Sequence, residues 1–92
     1  MIKSFRHKGL EAFFLYGTKA GIIPAHAPRL ARLLFRLDLS KVAQDMNLPG
    51  WNLHPLRGDL TEFWSVSVNG NWRVIFSFDG EDAILVDYLD YH

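Results

Sequence analysis

Two segments in the first half of the chain carry apolar side chains at the spacing of an amphipathic helix. In the first segment, Leu10, Phe13 and Phe14 recur at helical intervals, and Gly17 follows as a typical helix stop. The preceding residues 2–5, IKSF, allow two interpretations. Their serine could cap the helix, or the segment could form a short strand of its own.

The second helical segment has a clearer apolar stripe. Pro24 suits the first turn of a helix. Four leucines then follow the i, i+3, i+4, i+7 pattern of a buried face, namely Leu30, Leu33, Leu34 and Leu37. Three arginines lie on a different side of the same segment, at Arg29, Arg32 and Arg36. A loop, residues 40–50, follows this predicted helix.

The second half of the chain changes to the alternating pattern of β-strands. Residues 51–59, WNLHPLRGD, predict a short strand, and Pro55 indicates a sheet edge or a strand end. Residues 62–68 and 71–78 alternate in hydrophobicity, and residues 84–88, ILVDY, form a further strand. Short turns join the last three strands, so we expect an antiparallel sheet.

The register of the sheet follows from keeping the aromatic and β-branched side chains on one face, because a one-residue slip would turn every side chain over. A three-residue loop at residues 69–71 pairs Val68 with Trp72, Val66 with Val74 and Trp64 with Phe76. The same test at residues 79–81 pairs Phe76 with Ile84, Val74 with Val86 and Trp72 with Tyr88. The other, more polar and partly open face then presents Arg73 between Ser67 and Asp87. Arg73 is a candidate binding residue there, and an ion pair with Asp87 is the alternative.

These elements predict an α+β fold in which two N-terminal helices pack on an antiparallel β-sheet. The length of 92 residues fits one domain, residues 1–92, with one core. The chain is 49% hydrophobic and 14% aromatic, which argues against disorder, and it has no cysteine for a disulfide framework. No segment approaches the roughly 20 apolar residues of a membrane helix. We therefore expect a soluble intracellular protein.

The distribution of charge along the chain says more about binding partners than the net charge does. The formal net charge is zero, so the total charge gives no case for nucleic-acid binding. Most basic residues precede residue 58, however, and most acidic residues follow it. A neutral protein can still present a basic face. The arginines of the second helix are candidates for such a face, extended by Lys3, Arg6 and Lys8, and an ordinary solvated helix surface is the alternative.

Four stretches together resemble the HigB branch of the RelE/ParE-type toxins, the toxic members of toxin–antitoxin pairs. These stretches are MIKSFRHKGLE, LHPLRGD, FWSVSVNGNWRVIFSF and the final DYH. The resemblance covers nearly the whole chain and implies a compact RelE-like fold, a cytoplasmic location and cleavage of messenger RNA in the A site of the 30S ribosomal subunit. The implied partners are the ribosome, mRNA and a HigA-type helix-turn-helix antitoxin, with no membrane, and the toxin alone is expected to be a monomer.

The same resemblance implies the site residues. The catalytic residues would be His54 in the HPL motif together with Asp90, Tyr91 and His92 in DYH. Arg57, where relatives often carry Lys, would contact phosphate. Without the resemblance, His54 would be an ordinary strand-edge histidine and residues 90–92 a solvated tail.

The chemistry of RNA cleavage explains why these residue types suit such a site. The 2′-hydroxyl attacks the adjacent phosphate and the 5′-oxygen leaves, which requires a base, an acid and stabilisation of negative charge. Histidine titrates near neutral pH, so His54 and His92 could share the base and acid roles in either order. Arg57 and Arg73 could bind phosphate oxygens.

The remaining residues of DYH have supporting roles in this scheme. Asp90 could orient a histidine, and Tyr91 could donate a hydrogen bond or stack on a base. We also expect the α-carboxylate carried by His92 to favour an acid role for its imidazole. The scheme needs no cofactor, and a metal site built from His54, Asp90 and His92 is the chemical alternative.

Two other functions compete with RNA cleavage. A ParE-like toxin shares the fold but inhibits a topoisomerase by binding alone, and would not need His54 and His92. An inactive toxin-derived module would only bind an antitoxin or RNA. The two histidines and the DYH ending favour cleavage over binding alone.

Overall fold

A computed structural model describes residues 1–90 of the chain. The two α-helices are α1, Lys8–Tyr16, and α2, Ala27–Leu39. The four strands are β1, His54–Pro55; β2, Trp64–Asn69; β3, Trp72–Asp79; and β4, Asp82–Asp90. Short 3-10 turns lie at Pro24–His26, Ala43–Met46 and Gly58–Leu60. The predicted α+β fold, with helices first and an antiparallel sheet after them, is confirmed.

A histidine rather than the predicted serine caps α1. The Nδ1 atom of His7 accepts a hydrogen bond from the backbone N–H of Leu10 at 2.9 Å. The serine of residues 2–5 instead accepts, through its Oγ, a bond from the N–H of Leu85 at 2.8 Å. Residues 2–5 run parallel to β4 and form isolated bridges with it, which supports the short-strand interpretation. Gly17 ends α1 in the left-handed conformation, as predicted.

Helix α2 packs its apolar face against the sheet. The predicted leucine stripe is confirmed, since Leu30, Leu33, Leu34 and Leu37 are all buried. These leucines pack with the inward side chains of the sheet, among them Val66, Val74, Phe76, Val86 and Tyr88. Among residues 1–90, no helix is both long enough and apolar enough to cross a membrane.

The strands follow one another in space as they do in sequence. The sheet order is β1-β2-β3-β4, and every pair is antiparallel. Between β2 and β3, the predicted pairs Trp64–Phe76 and Val66–Val74 are confirmed, and Ser67 lies opposite Arg73 as expected. The predicted pair Val68–Trp72 is wrong, because Asn69 lies opposite Trp72. The turn is one residue shorter than predicted, and an irregularity at Val68 absorbs the extra residue.

The predicted register between β3 and β4 is wrong. The predicted pairs were Phe76–Ile84, Val74–Val86 and Trp72–Tyr88. The observed pairs include Trp72–Asp90, Arg73–Leu89, Val74–Tyr88, Ile75–Asp87 and Ser77–Ile84. The hairpin closes on a two-residue turn, and a bulge follows where Leu85 takes the left-handed conformation with φ 56°. Because the bulge adds one residue, Val86 and Tyr88 still face the core, but with different partners.

The face of the sheet that points away from the helices is less open than predicted. A second apolar cluster lies on it, formed by Leu56, Phe63 and Ile75 with Leu60, Leu85 and Leu89 packed around them. The segment between β1 and β2 folds back to make this cluster, and the N–H of Leu56 donates to the carbonyl of Phe63 at 2.9 Å. Polar side chains on the same face include His54, Ser67 and Arg73.

Candidate active site

His54 lies on the outer face of the sheet and is held by its own loop. It is half-buried and stands opposite Ser65 in the pairing of β1 with β2. Directly opposed residues of an antiparallel pair project from the same face, and Ser65 and Ile75 are themselves opposed. The Nδ1 atom of His54 lies 3.0 Å from the backbone oxygen of Asn52. This bond fixes the direction of the ring on the outer face.

The partner of His54 also determines its tautomer. A backbone carbonyl oxygen can only accept a hydrogen bond, so Nδ1 must carry the proton. In the neutral ring, Nε2 then holds the free lone pair. His54 is therefore oriented as a proton acceptor through Nε2.

Arg73 lies on the same outer face, two residues along β3 from Ile75, which belongs to the row of His54 and Ser65. Its Nη1 atom donates to the hydroxyl of Ser67, which stands directly opposite. The alternative of an ion pair with Asp87 is wrong within residues 1–90, because Arg73 lies opposite Leu89 and Asp87 lies opposite Ile75. The Oδ1 atom of Asp87 accepts from the N–H of Tyr88 at 2.9 Å. The carboxylate is thus used locally, and Arg73 keeps its charge for other partners.

One guanidinium nitrogen of Arg73 has unused hydrogen-bonding capacity. Its Nε atom is buried and has no hydrogen-bond partner among the residues that the structure describes. The hydroxyl of Ser65 is in the same condition. Buried polar atoms without partners are uncommon in native proteins and are often found at functional sites.

Of the other predicted site residues, two lie within the described chain and two lie beyond it. Arg57 is exposed and immediately precedes the turn Gly58–Leu60. Asp90 is exposed and ends β4 opposite Trp72. Tyr91 and His92 lie outside the described residues. The structure thus brings His54 and Arg73 onto one face, and the contribution of the terminal residues stays a prediction.

The predicted basic docking face is only partly available for docking. Its six members are Lys3, Arg6, Lys8, Arg29, Arg32 and Arg36. Arg29 donates to the carbonyls of Gly50 and Ser67, and Arg36 donates to the carbonyl of Asp45 at 2.8 Å. The guanidinium carbon of Arg6 lies 5.2 Å from the ring centre of Phe63. Lys3, Lys8 and Arg32 are exposed. Arg29 and Arg36 therefore have structural roles that their spacing did not reveal.

Sequence patterns missed two residues that support the site, Asn52 and Ser67. Asn52 links the loop to β2 by donating from Nδ2 to the hydroxyl of Ser67 at 3.3 Å. A signal was present at Asn52, since it follows a Pro-Gly turn and Asn tolerates the left-handed conformation it adopts, with φ 52°. Ser67 was predicted on the correct face, but alternation gives no partner for its hydroxyl.

The described side chains do not build a metal site. Within residues 1–90, no group of three or more His, Asp or Glu side chains is arranged to hold a metal ion. The alternative of His54, Asp90 and His92 as ligands remains a prediction, since His92 lies outside that range.

Comparison with known proteins places the chain among toxins. Residues 3–92 match a family model described as the HigB-like toxin, a RelE-like toxin of the type II toxin–antitoxin system HigB. The chain is 39% identical over 92 residues to a protein of Proteus vulgaris named Endoribonuclease HigB, and the match covers all of both chains. It is 34% identical over 95 residues to Toxin HigB-1 of Vibrio cholerae, covering all of this chain and 98% of that one.

Proposed function

Since the chain belongs to the HigB-like family of RelE-like toxins of type II toxin–antitoxin systems, we propose that it is a ribosome-dependent endoribonuclease that cleaves mRNA in the A site. The observation that most directly supports the proposal is that His54, whose Nδ1 donates to a backbone carbonyl, lies on the same outer face as Arg73. The name of the Proteus vulgaris relative, an endoribonuclease, agrees with it.

The proposed reaction is an internal transfer at one phosphate of the RNA. His54 Nε2 takes the proton of the 2′-hydroxyl, and the 2′-oxygen forms a bond to the neighbouring phosphorus. The bond from phosphorus to the 5′-oxygen breaks, and His92 returns a proton to that oxygen. The products are a 2′,3′-cyclic phosphate and a 5′-hydroxyl, and none of these steps requires a metal ion or other cofactor.

The arginines supply the positive charge that this reaction needs. Negative charge grows on the phosphate oxygens as the 2′-oxygen attacks, and a guanidinium stabilises it with parallel N–H donors while remaining charged. Arg73 is aimed across the outer face by Ser67, and Arg57 is exposed beside β1. Asp90 and Tyr91 are proposed to orient His92 and the substrate base.

The test is cleavage of a short mRNA on purified ribosomes, with the termini of the products identified. We expect cuts inside the A-site codon that leave cyclic phosphate and 5′-hydroxyl ends. A 2′-deoxy nucleotide at the cut position should block cleavage, because the attacking hydroxyl is gone. Cleavage of free RNA at the same rate would contradict ribosome dependence, and growth arrest without any RNA cut would favour a topoisomerase inhibitor.

Variants connect the activity to the proposed residues. His54→Ala and His92→Gln should each lower the cleavage rate by about 100- to 10,000-fold, the range for loss of a general acid or base. Gln44→Ala is a matched control, because Gln44 is exposed and lies outside the candidate site. An unchanged thermal melting point in all three variants would show that the fold is intact. Full toxicity of His92→Gln would remove His92 from the mechanism.

We also propose an antitoxin partner, of the HigA helix-turn-helix type, for this chain. The surface of α2 supports a protein partner, since Phe35 and Leu39, about one helical turn apart, are 69% and 64% exposed. Large exposed apolar side chains near one another often mark interaction sites. Co-expression with the product of a neighbouring helix-turn-helix gene should relieve growth arrest and yield a complex on size-exclusion chromatography. Arrest that persists beside a stably produced antitoxin would contradict the pairing.

A further inference from the structure

We propose that Ser67 is a positioning residue that holds His54 and Arg73 as one unit, with Asn52 as the connecting side chain. This inference rests on the proposed function, because it assigns a role within the same site. It goes beyond the predicted catalytic set, in which neither Ser67 nor Asn52 has a part.

The hydroxyl of Ser67 contacts both Arg73 and Asn52, the residue that holds His54. Its Oγ atom accepts hydrogen bonds from Nη1 of Arg73 and from Nδ2 of Asn52, the latter at 3.3 Å. The backbone oxygen of Asn52 accepts in turn from Nδ1 of His54 at 3.0 Å. Three hydrogen bonds, together with the covalent bonds within Asn52, therefore connect the imidazole of His54 with the guanidinium of Arg73.

The backbone of Ser67 anchors the same loop a second time. Its N–H donates to the carbonyl of Trp51 at 2.8 Å. Its carbonyl accepts from Nε and Nη2 of Arg29 at 3.3 and 3.1 Å, and the same Nη2 atom donates to the carbonyl of Gly50 at 2.9 Å. The residues on both sides of Trp51 are thus tied to β2. This arrangement gives the carbonyl of Asn52 a defined place next to the ring of His54.

Asn52 holds a backbone conformation that its side-chain bond helps to maintain. Its φ of 52° lies in the left-handed region, which few residues other than glycine adopt. The hydrogen bond from the side-chain amide of Asn52 to Ser67 offsets part of the free-energy cost of this backbone conformation. Without the amide, the loop could relax and turn the carbonyl of Asn52 away from Nδ1 of His54.

Loss of the Ser67 hydroxyl would therefore affect both functional groups at once. His54 would lose the preference for the tautomer that leaves Nε2 free, and the guanidinium of Arg73 would lose the acceptor that aims it. A displacement of about 1 Å in a catalytic group can cost roughly 100-fold in rate. We expect the substitution to lower mainly kcat, because proton transfer and charge stabilisation occur in the transition state.

A matched pair of substitutions at Ser67 separates the hydroxyl from the shape of the side chain. Ser67→Thr keeps the hydroxyl, Ser67→Val has the same shape without it, and both residues suit a strand. In single-turnover cleavage of ribosome-bound mRNA, we expect the Val variant to lose about 10- to 100-fold in the rate of the chemical step. The Thr variant should stay close to the original protein, and the apparent ribosome affinity should change little in either.

A second measurement reads the proposed link without any cleavage assay. Nitrogen-15 NMR of the free protein reports which ring nitrogen of neutral His54 carries the proton. We expect Nδ1–H in the original protein and in Ser67→Thr, and a shift toward Nε2–H in Ser67→Val. Asn52→Gly should show the same shift, because glycine keeps the left-handed backbone at no steric cost while removing the amide.

The outcomes of the two measurements distinguish failure of the positioning role from failure of the proposed function. If the original protein cuts ribosome-bound mRNA but Ser67→Val cuts as fast as Ser67→Thr, the positioning role is overturned and the proposed function stands. If the original protein cuts no RNA, the proposed function is overturned. His54 that stays Nδ1–H in Ser67→Val and Asn52→Gly would overturn the link in either case.

Discussion

Tyr88 shows how one buried residue joins the helical layer to the sheet. Its hydroxyl oxygen lies 2.7 Å from Nδ1 of His26 and 3.5 Å from the backbone nitrogen of Ile23, which donates to it. Its ring centre lies 4.7 Å from that of Trp72. Burial raises the pKa of the Tyr88 phenol above its usual value of 10.0, and the bond from Ile23 offsets part of that rise. The phenol is therefore held in its neutral form.

The raised pKa of Tyr88 predicts a specific loss of stability in alkali. Because the folded state binds this proton more tightly than the unfolded state, the contribution is fully present below about pH 10 and is lost as the pH rises through the folded pKa. Tyr88→Phe should lower the free energy of unfolding at neutral pH by about 1 kcal/mol, through the lost hydrogen bonds. It should also reduce the alkaline decline. Urea unfolding of both proteins from pH 7 to 11 tests this, and parallel curves would contradict it.

At the scale of single residues, the sequence predicted candidate site residues but not the residues that hold them. His54 was predicted from the family resemblance and Arg73 from its place on the polar face, and both lie on one face of the sheet. Asn52 and Ser67 were missed because their roles depend on a loop that meets a strand 15 residues away in the chain. A contact across that separation leaves no periodic signal along the sequence.

Among the elements, the connection of α2 to the loop before β1 depends on one arginine. Arg29 bonds two backbone carbonyls, and its guanidinium carbon lies 5.8 Å from the ring centre of Trp51. Planar guanidinium groups can serve two acceptors at once, and a lysine cannot reproduce this geometry. Arg29 therefore acts as a cross-link between a helix, a loop and a strand.

This cross-link predicts unequal effects of two neighbouring arginines. Arg29→Ala should destabilise the protein by about 1–3 kcal/mol, because the carbonyls of Gly50 and Ser67 lose a charged donor. Arg32→Ala should stay within about 0.5 kcal/mol, since Arg32 is exposed and makes no hydrogen bond or ion pair within residues 1–90. Urea midpoints of the two variants provide the comparison. Equal midpoints would show that Arg29 is also only a surface charge.

A close approach of two glycines predicts that a Gly→Ala substitution in α1 destabilises the protein, although alanine usually stabilises a helix. Gly9 lies in α1 against Gly21 of the following loop, and a methyl group on either residue would overlap the backbone of the other. Alanine usually stabilises a helix relative to glycine by about 1 kcal/mol. Gly9→Ala should instead destabilise by about 1–3 kcal/mol through overpacking. Thermal unfolding beside Lys8→Ala, an exposed control in the same helix, tests it, and a raised melting temperature would contradict the overlap.

Element types were predictable from the sequence, whereas the β3–β4 register was not. Alternation correctly gave the inward faces of Val86 and Tyr88. It could not reveal that a leucine would adopt the left-handed conformation that β-bulges exploit, because no glycine marks Leu85. Tertiary packing determined that local geometry, and the bond from the Leu85 N–H to Ser4 Oγ stabilises it.

On the scale of the whole molecule, the sheet separates two apolar clusters of different size. The main core lies between the helices and the sheet, and the smaller cluster around Leu56, Phe63 and Ile75 lies on the outer face beside the candidate site. The segment that completes the smaller cluster contains residues 56–63, and much of it is exposed. We therefore expect the outer cluster to open more readily than the core.

Hydrogen exchange measures this difference directly. The amides of Leu56 and Phe63 should exchange through local openings whose rates depend little on denaturant. The amides of Val66 and Val74, which oppose each other in the interior of the sheet, should exchange only through global unfolding, with the full denaturant dependence. If all four amides showed the same denaturant dependence, residues 56–63 would belong to the same cooperative unit as the core.

The outermost strand, β1, bears on the solubility of the molecule at high concentration. An open strand edge is a template for pairing with another copy of the chain, and such pairing leads to aggregation. Here β1 has only two residues, one of them Pro55, which lacks the N–H that a ladder requires. The next segment then turns away to cover the outer face. The same short strand that presents His54 thus protects the sheet against edge-to-edge association.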